Sequence, residues 1–233
     1  MSAFILDLET TGLDFRKHRI TEISLLDMQE NRIFSKMVHP EQELTPKAME
    51  ITGKSLIDFA REKPFRFIVD ELMDFIGNDP DTYIIGHNLD NFDKSFLQAE
   101  LQRCAVDLPS SWKYIDTLKV ARSILPHLPR HTQELLRKHF HISTTNAHTA
   151  AKDVMDLQLI LFRFMENYTL NDLYKISQDY QLWPCFEYRG VPMNKIPLWY
   201  LQKMKRQQFF EHNPDVLDML QRSDRSDLCD IIT

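Results

Sequence analysis

Residues 4–12 read Phe-Ile-Leu-Asp-Leu-Glu-Thr-Thr-Gly, and this stretch decides the fold. An apolar run closed by two acids reads as a buried first strand, over residues 3–9, that ends at a functional edge. Asp7 and Glu9 stand two apart, so on a strand both side chains leave the same face. Acids are depleted in strands, and two on one face repel unless a cation lies between them. Thr10-Thr11-Gly12 follows, with hydroxyls and a permissive backbone that could approach a ligand closely.

Outward from this strand the pattern alternates. Residues 20–28 and 33–38 read as two further strands, the second stopped by His39-Pro40. Thr45-Pro46 is an N-cap followed by proline at the first helical position, opening a short helix that ends near Gly53. Residues 64–76 carry Phe67, Ile68, Leu72, Phe75 and Ile76 at helical spacing. Residues 82–86 are a fourth strand, 91–104 a helix, and 114–116 a last short strand. Helices follow at 117–125, 131–139 and 149–167. Three antiparallel strands followed by alternating helix and strand predict a mixed α/β sheet of five strands flanked by helices.

Two later blocks complete the acidic set. Gly86-His87-Asn88-Leu89-Asp90-Asn91-Phe92-Asp93 follows the fourth strand and places Asp93 in the first turn of a helix. His148-Thr149-Ala150-Ala151-Lys152-Asp153 opens the long helix, with His148 just before it and Asp153 about a turn inside. Each block alone has an ordinary reading: a solvated strand end, a helix-start acid favoured by the dipole, a capping histidine. Together, Asp7, Glu9, Asp93 and Asp153 make a set of four carboxylates suited to two hard divalent cations, with His148 beside them as a proton acceptor. Asp156 reads as a solvated acid, and His127, His131, His139 and His141 as surface or structural histidines.

Composition is consistent with this reading. With 43% apolar and 27% charged residues in 233, the chain predicts a globular domain with room for a small second one. No apolar run approaches the roughly 18 residues that span a bilayer, and the first residues predict no signal peptide. Three widely spaced cysteines, Cys104, Cys185 and Cys229, predict reduced thiols and a cytoplasmic location. The net charge of −6 is unevenly spread. Residues 211–233 hold a net of −4 and residues 181–210 a net of +4. The divisions expected are 1–170, a basic and aromatic segment over 171–210, and an acidic tail over 211–233 open to disorder.

The three blocks, with Asp116-Thr117-Leu118 and Ala121-Arg122 between them, resemble the DEDDh 3′–5′ exonucleases over about residues 3–168. The histidine five residues before Asp153, with Thr149 in the place of a tyrosine, is the histidine type. The resemblance implies a ribonuclease H-like fold and a metal-dependent 3′–5′ exonuclease. It implies Mg²⁺ or Mn²⁺ as two divalent cations on Asp7, Glu9, Asp93 and Asp153, with His148 as general base. Leu8, Thr10, Thr11, Gly12, Leu13, His87, Asn88 and Phe92 would meet the substrate strand, Leu13 as a wedge. The implied partner is single-stranded or 3′-overhang DNA, with RNA trimming or a non-catalytic nucleic-acid binder as alternatives, and a homodimer is compatible with it. Tyr188-Arg189-Gly190 and Ile196-Pro197 with Tyr200-Leu201 resemble the small C-terminal part of exonuclease X-like proteins, which points toward DNA. Where many relatives carry His-Gly-Ile-Thr, this chain has Ile51-Thr52-Gly53-Lys54; Phe186-Glu187 replaces the usual glycine-lysine before Tyr188.

Overall fold

The structure, a computed structural model, describes residues 1–125, 127–143, 149–180, 183, 186–188, 191–221 and 228. The chain divides into two compact units, Met1–Ser177 and Gln178–Thr233.

The first unit is built on strands β1 (Ser2–Thr10), β2 (Ile20–Asp27) and β3 (Ile33–Met37), then helices α1 (Pro46–Thr52) and α2 (Val69–Ile76). Strand β4 (Thr82–Gly86), helix α3 (Asp93–Arg103) and strand β5 (Lys113–Asp116) follow, then helices α4 (Thr117–Ile124), α5 (Gln133–His139), α6 (Ala150–Met165) and α7 (Leu170–Asp179). The five strands form one sheet in the order β3-β2-β1-β4-β5. Strands β2 and β3 are antiparallel to their neighbours, whereas β1, β4 and β5 run parallel. The mixed five-stranded sheet is therefore the one the strand pattern predicts, and its order is the ribonuclease H-like one that the resemblance implies.

Both faces of β1 are covered, which explains its unbroken apolar run. Phe4, Leu6 and Leu8 enter a core with Phe65, Ile68, Leu72, Phe96 and Leu101. Ala3 and Ile5 enter the opposite core, with Val154, Leu157, Ile160 and Leu161 of α6. Asp7 and Glu9 continue the Ala3–Ile5 face beyond its last apolar residue. They therefore emerge toward the N-terminal end of α6, which lies across β1 and β2.

The caps follow the sequence. Thr45 accepts the Ala48 N–H at 3.2 Å, and Gly53 ends α1 at φ 67. One helix departs from its expected course. Residues 65–67 form a 3-10 turn before α2, so Phe65 and Ile68, three apart, point inward while Phe67 is 63% exposed.

The second unit contains α8 (Leu198–Arg206), α9 (Phe209–His212) and α10 (Pro214–Gln221). Its core joins Trp183, Met193, Ile196, Tyr200, Leu201, Met204, Phe210, Val216, Leu220 and Leu228. The acidic end was expected to be a tail open to disorder, and over 209–212 and 214–221 it is helical instead. Phe210, Val216 and Leu220 join the unit's core there. Residues 222–227 and 229–233 lie outside the described residues.

Candidate active site

The site lies where β1 outruns β4. Parallel pairing of the two strands ends at Ile5 and Ile85, while β1 continues to Thr10. Gly86 lets the chain turn away closely: a Cβ there would lie 3.2 Å from the Leu6 carbonyl and 2.9 Å from Leu89 Cδ1. A short 3-10 turn, Leu89–Asn91, then delivers Asp93 as the first residue of α3. Asp93 is buried, and its carboxylate accepts the Leu8 N–H.

Three of the four expected acids converge here, and the fourth, Asp93, stands beside them. Ligand oxygens of Asp7, Glu9 and Asp153 lie within 4.8 Å of one another. Asp153 comes from the first turn of α6, whose N-cap Thr149 accepts the Lys152 N–H at 3.3 Å. Asp93 stands close enough for its charge to act on Asp7 and Glu9. Burial, followed by the charges of Asp93, Asp153, Glu9 and Glu22, holds Asp7 well above the ordinary carboxylate range. Burial pushes Asp93 up to about 8, helped by Asp116 and Glu9 and opposed by N–H groups of its own backbone and of Leu8. Such a cluster binds protons at neutral pH unless cations replace them. All-oxygen donors at this spacing fit hard divalent ions.

His148, the expected base, lies outside the described residues. Its place in the chain is one residue before Thr149, the cap of the helix that carries Asp153.

Several expected substrate contacts also have partners within the protein. Thr10 and Thr11 turn inward. Thr10 Oγ1 donates to the Gly12 carbonyl at 2.7 Å, and Thr11 Oγ1 accepts from the Arg19 N–H at 3.0 Å and from Gln42 Nε2 at 2.7 Å. The Thr11 N–H and carbonyl bond Arg19 and Thr45, so this residue shapes the turn. Leu8 buries its side chain, and its N–H is taken by Asp93. His87 Nδ1 lies 3.0 Å from Thr117 Oγ1, and its ring meets the backbone of His131. Burial, with the charges of Arg122 and His131, lowers its pKa to about 4, so His87 is a neutral bracing group. Phe92 is half-buried against Phe96, ring centroids 4.9 Å apart. Asn88 takes a left-handed backbone, and its Oδ1 accepts from Asn91. Gly12 has no room for a side chain, because a Cβ would lie 2.7 Å from the His18 ring. Leu13, on the same turn, is 80% exposed.

Sequence reading missed three supporting acids. Asp116 caps α4 through the Leu118 N–H and also accepts the N–H groups of Asn88 at 2.9 Å and Asp90 at 3.3 Å, pinning the loop that delivers Asp93. Its place beside Thr117 marks it as a cap; the tie to residues 88–90 is visible only in three dimensions. Glu100 is buried and grips Arg19 through both oxygens, at 2.6 and 3.0 Å, fastening the turn after β1 to α3. Glu22 lies opposite Glu9 in the β1–β2 register and is balanced by Lys54 Nζ at 3.2 Å. Lys54 belongs to the stretch that departs from the His-Gly-Ile-Thr pattern. Asp156, read as a solvated acid, is instead buried between Arg137 and Lys152, because α5 packs on that side of α6.

A sequence model of the exonuclease family matches residues 4–161. The chain belongs to the DEDDh 3′–5′ exonucleases, a family of phosphodiester hydrolases. It is 36% identical over 172 residues to the DNA polymerase III epsilon subunit of Rickettsia conorii, covering 69% of this chain and 72% of that protein. It is 28% identical over 183 residues to the PolC-type DNA polymerase III of Streptococcus pneumoniae, of which it spans 12%. The fold matches Escherichia coli exonuclease I solved with single-stranded DNA (TM-score 0.65, 19% identity, 75% of this chain and 42% of that one). It also matches exonuclease X solved with 5′-overhanging duplex DNA (TM-score 0.54, 19% identity, 75% and 99%). Among the described residues no helix is long and apolar enough to cross a membrane.

Proposed function

We propose that this chain removes nucleoside 5′-monophosphates from the 3′ ends of single-stranded or 3′-overhang DNA. Divalent cations, Mg²⁺ or Mn²⁺, would be held by Asp7, Glu9, Asp93 and Asp153. The observation that carries this reading is the convergence of Asp7, Glu9 and Asp153 oxygens within 4.8 Å, with Asp93 buried beside them and its pKa raised. A protein gains nothing from crowding four acids at one strand end except a place for cations.

Two cations bound there would supply the charge that activates an attacking water and steadies the leaving 3′ oxygen. The chain's own residues do the rest. His148, next to the cap of α6, takes the proton of the attacking water. Leu13, exposed on a turn braced by Gly12 and His18, lies against the terminal base. Asp116 and Glu100 keep the loop before α3 and the turn after β1 in register. The relatedness to an epsilon subunit and to PolC, both DNA polymerase III proteins, supports DNA as the substrate class.

The test is digestion of 5′-labelled single-stranded DNA and matched RNA with Mg²⁺. A ladder that shortens from the 3′ end on DNA and vanishes in Asp7→Ala is the expected result. A ladder on RNA alone moves the substrate class, and full activity in Asp7→Ala refutes the metal assignment.

A further inference from the structure

We infer that the second unit, Gln178–Thr233, carries its own docking face for an unpaired nucleic-acid strand, centred on Trp199 with Lys203 and Arg206 beside it. The inference draws on the exonuclease reading for its choice of partner, and its test is independent of cleavage.

Helix α8 reads Leu-Trp-Tyr-Leu-Gln-Lys-Met-Lys-Arg. Tyr200, Leu201 and Met204 point into the unit's core, which defines the inward side. Trp199, Lys203 and Arg206 stand at i, i+4 and i+7, so they line one outward stripe. Trp199 is 54% exposed, an unusual setting for the largest apolar side chain. Its indole is held by edge-to-face contacts with Tyr188 at 6.3 Å and Tyr200 at 5.8 Å, so it is a positioned ring. Lys203 Nζ lies 5.7 Å over the Tyr200 ring.

In the first unit, exposed Arg16, Lys36, Arg66, Lys113 and Lys138 each pair with a carboxylate. Among the described residues, Lys195, Lys203 and Arg206 form no ion pair. A fixed aromatic ring with unpaired cations one and two turns along the same helix suits a base stacked on the indole with its phosphates on the cations. An acidic peptide would satisfy the cations and leave the indole face without a partner, whereas a strand satisfies both. The link between the units raises the effective concentration of a strand for the catalytic unit without any further contact.

The test is fluorescence anisotropy of the 233-residue chain in EDTA, so that no metal-dependent cleavage occurs, with fluorescein-labelled dT20 and rU20. Trp199→Ala should weaken binding about tenfold or more, the scale of one lost base–aromatic stack, and Trp199→Phe should recover most of it. Lys203→Gln with Arg206→Gln should flatten the slope of log affinity against log salt by about 1.4, as expected for two lost single-strand phosphate contacts. Circular dichroism matching the parent establishes that the variants are folded. Loss on dT20 alone assigns the face to DNA, and loss on rU20 alone assigns it to RNA. Unchanged binding of both strands by Trp199→Ala and by the double variant overturns the inference. A chain that cleaves nothing yet binds through Trp199 sinks the exonuclease reading alone.

Discussion

The C-terminal end of β1 and the outer stripe of α8 are opposite in charge and alike in logic. At the first, Asp7, Glu9 and Asp153 crowd together with Asp93 acting on them by charge, and Glu22 at the margin pairs with Lys54. At the second, Lys203 and Arg206 flank an exposed tryptophan with no carboxylate paired to either among the described residues. Elsewhere in the first unit buried acids are paired with arginines, as in Arg19–Glu100 and Arg137–Asp156. On the proposed reading, metal cations would complete the sheet end and strand phosphates the helix.

The sharpest way to break this comparison is at the sheet end. Asp7→Ala or Asp153→Ala should bring exonuclease activity below detection while the melting temperature in EDTA stays level or rises, because a like-charge repulsion is removed. A large drop in melting temperature would make these acids structural. His148→Ala comes next, with an expected loss of about 10²–10⁴-fold in kcat, the range for a positioned proton acceptor; an unchanged kcat in single-turnover assays would exclude it as the base. Asp116→Ala should cost about 10–100-fold, as for groups that orient metal ligands. Its loss should fall on kcat and on apparent metal affinity, with Asp116→Asn recovering part of both; a loss confined to KM would contradict the positioning role.

The smallest effect is a thermal one. The folded pKa of Asp93 is raised to about 8, and that of Asp7 is also raised. Between the ordinary carboxylate pKa near 4 and about 8, the metal-free folded state therefore holds more protons than the unfolded chain. Stability must fall as pH rises through this window. Melting of the metal-free protein should drop by a few degrees from pH 5 to pH 8, and Mg²⁺ or Mn²⁺ should restore more at pH 8 than at pH 5. A metal-free melting curve that is flat across this range would mean the four acids are not crowded.

Much of this was legible from local patterns. Period-two spacing placed Asp7 and Glu9 on one face, and β4 follows directly from its residues. Local patterns misled where the partner is distant in sequence. Thr11 and His87 look like substrate contacts because they flank the motif acids, yet Thr11 bonds Arg19 and Gln42, and His87 bonds Thr117. Asp156 looks solvated on a helical wheel until α5 covers it.

The sequence by itself determined the mixed sheet, the shared face of Asp7 and Glu9 and the uneven layout of charge, because strand and helix periodicity, caps and turn residues act over a few positions. Tertiary structure alone decided that Asp93 reaches Leu8 through the gap left where β4 stops short of β1. It also decided that Asp116 holds the loop making this possible, and that Trp199 stays outside while Tyr200 beside it goes in. Those outcomes depend on which surfaces from distant segments compete for the same space and the same hydrogen bonds. Burial and polar satisfaction are properties of the whole packed chain.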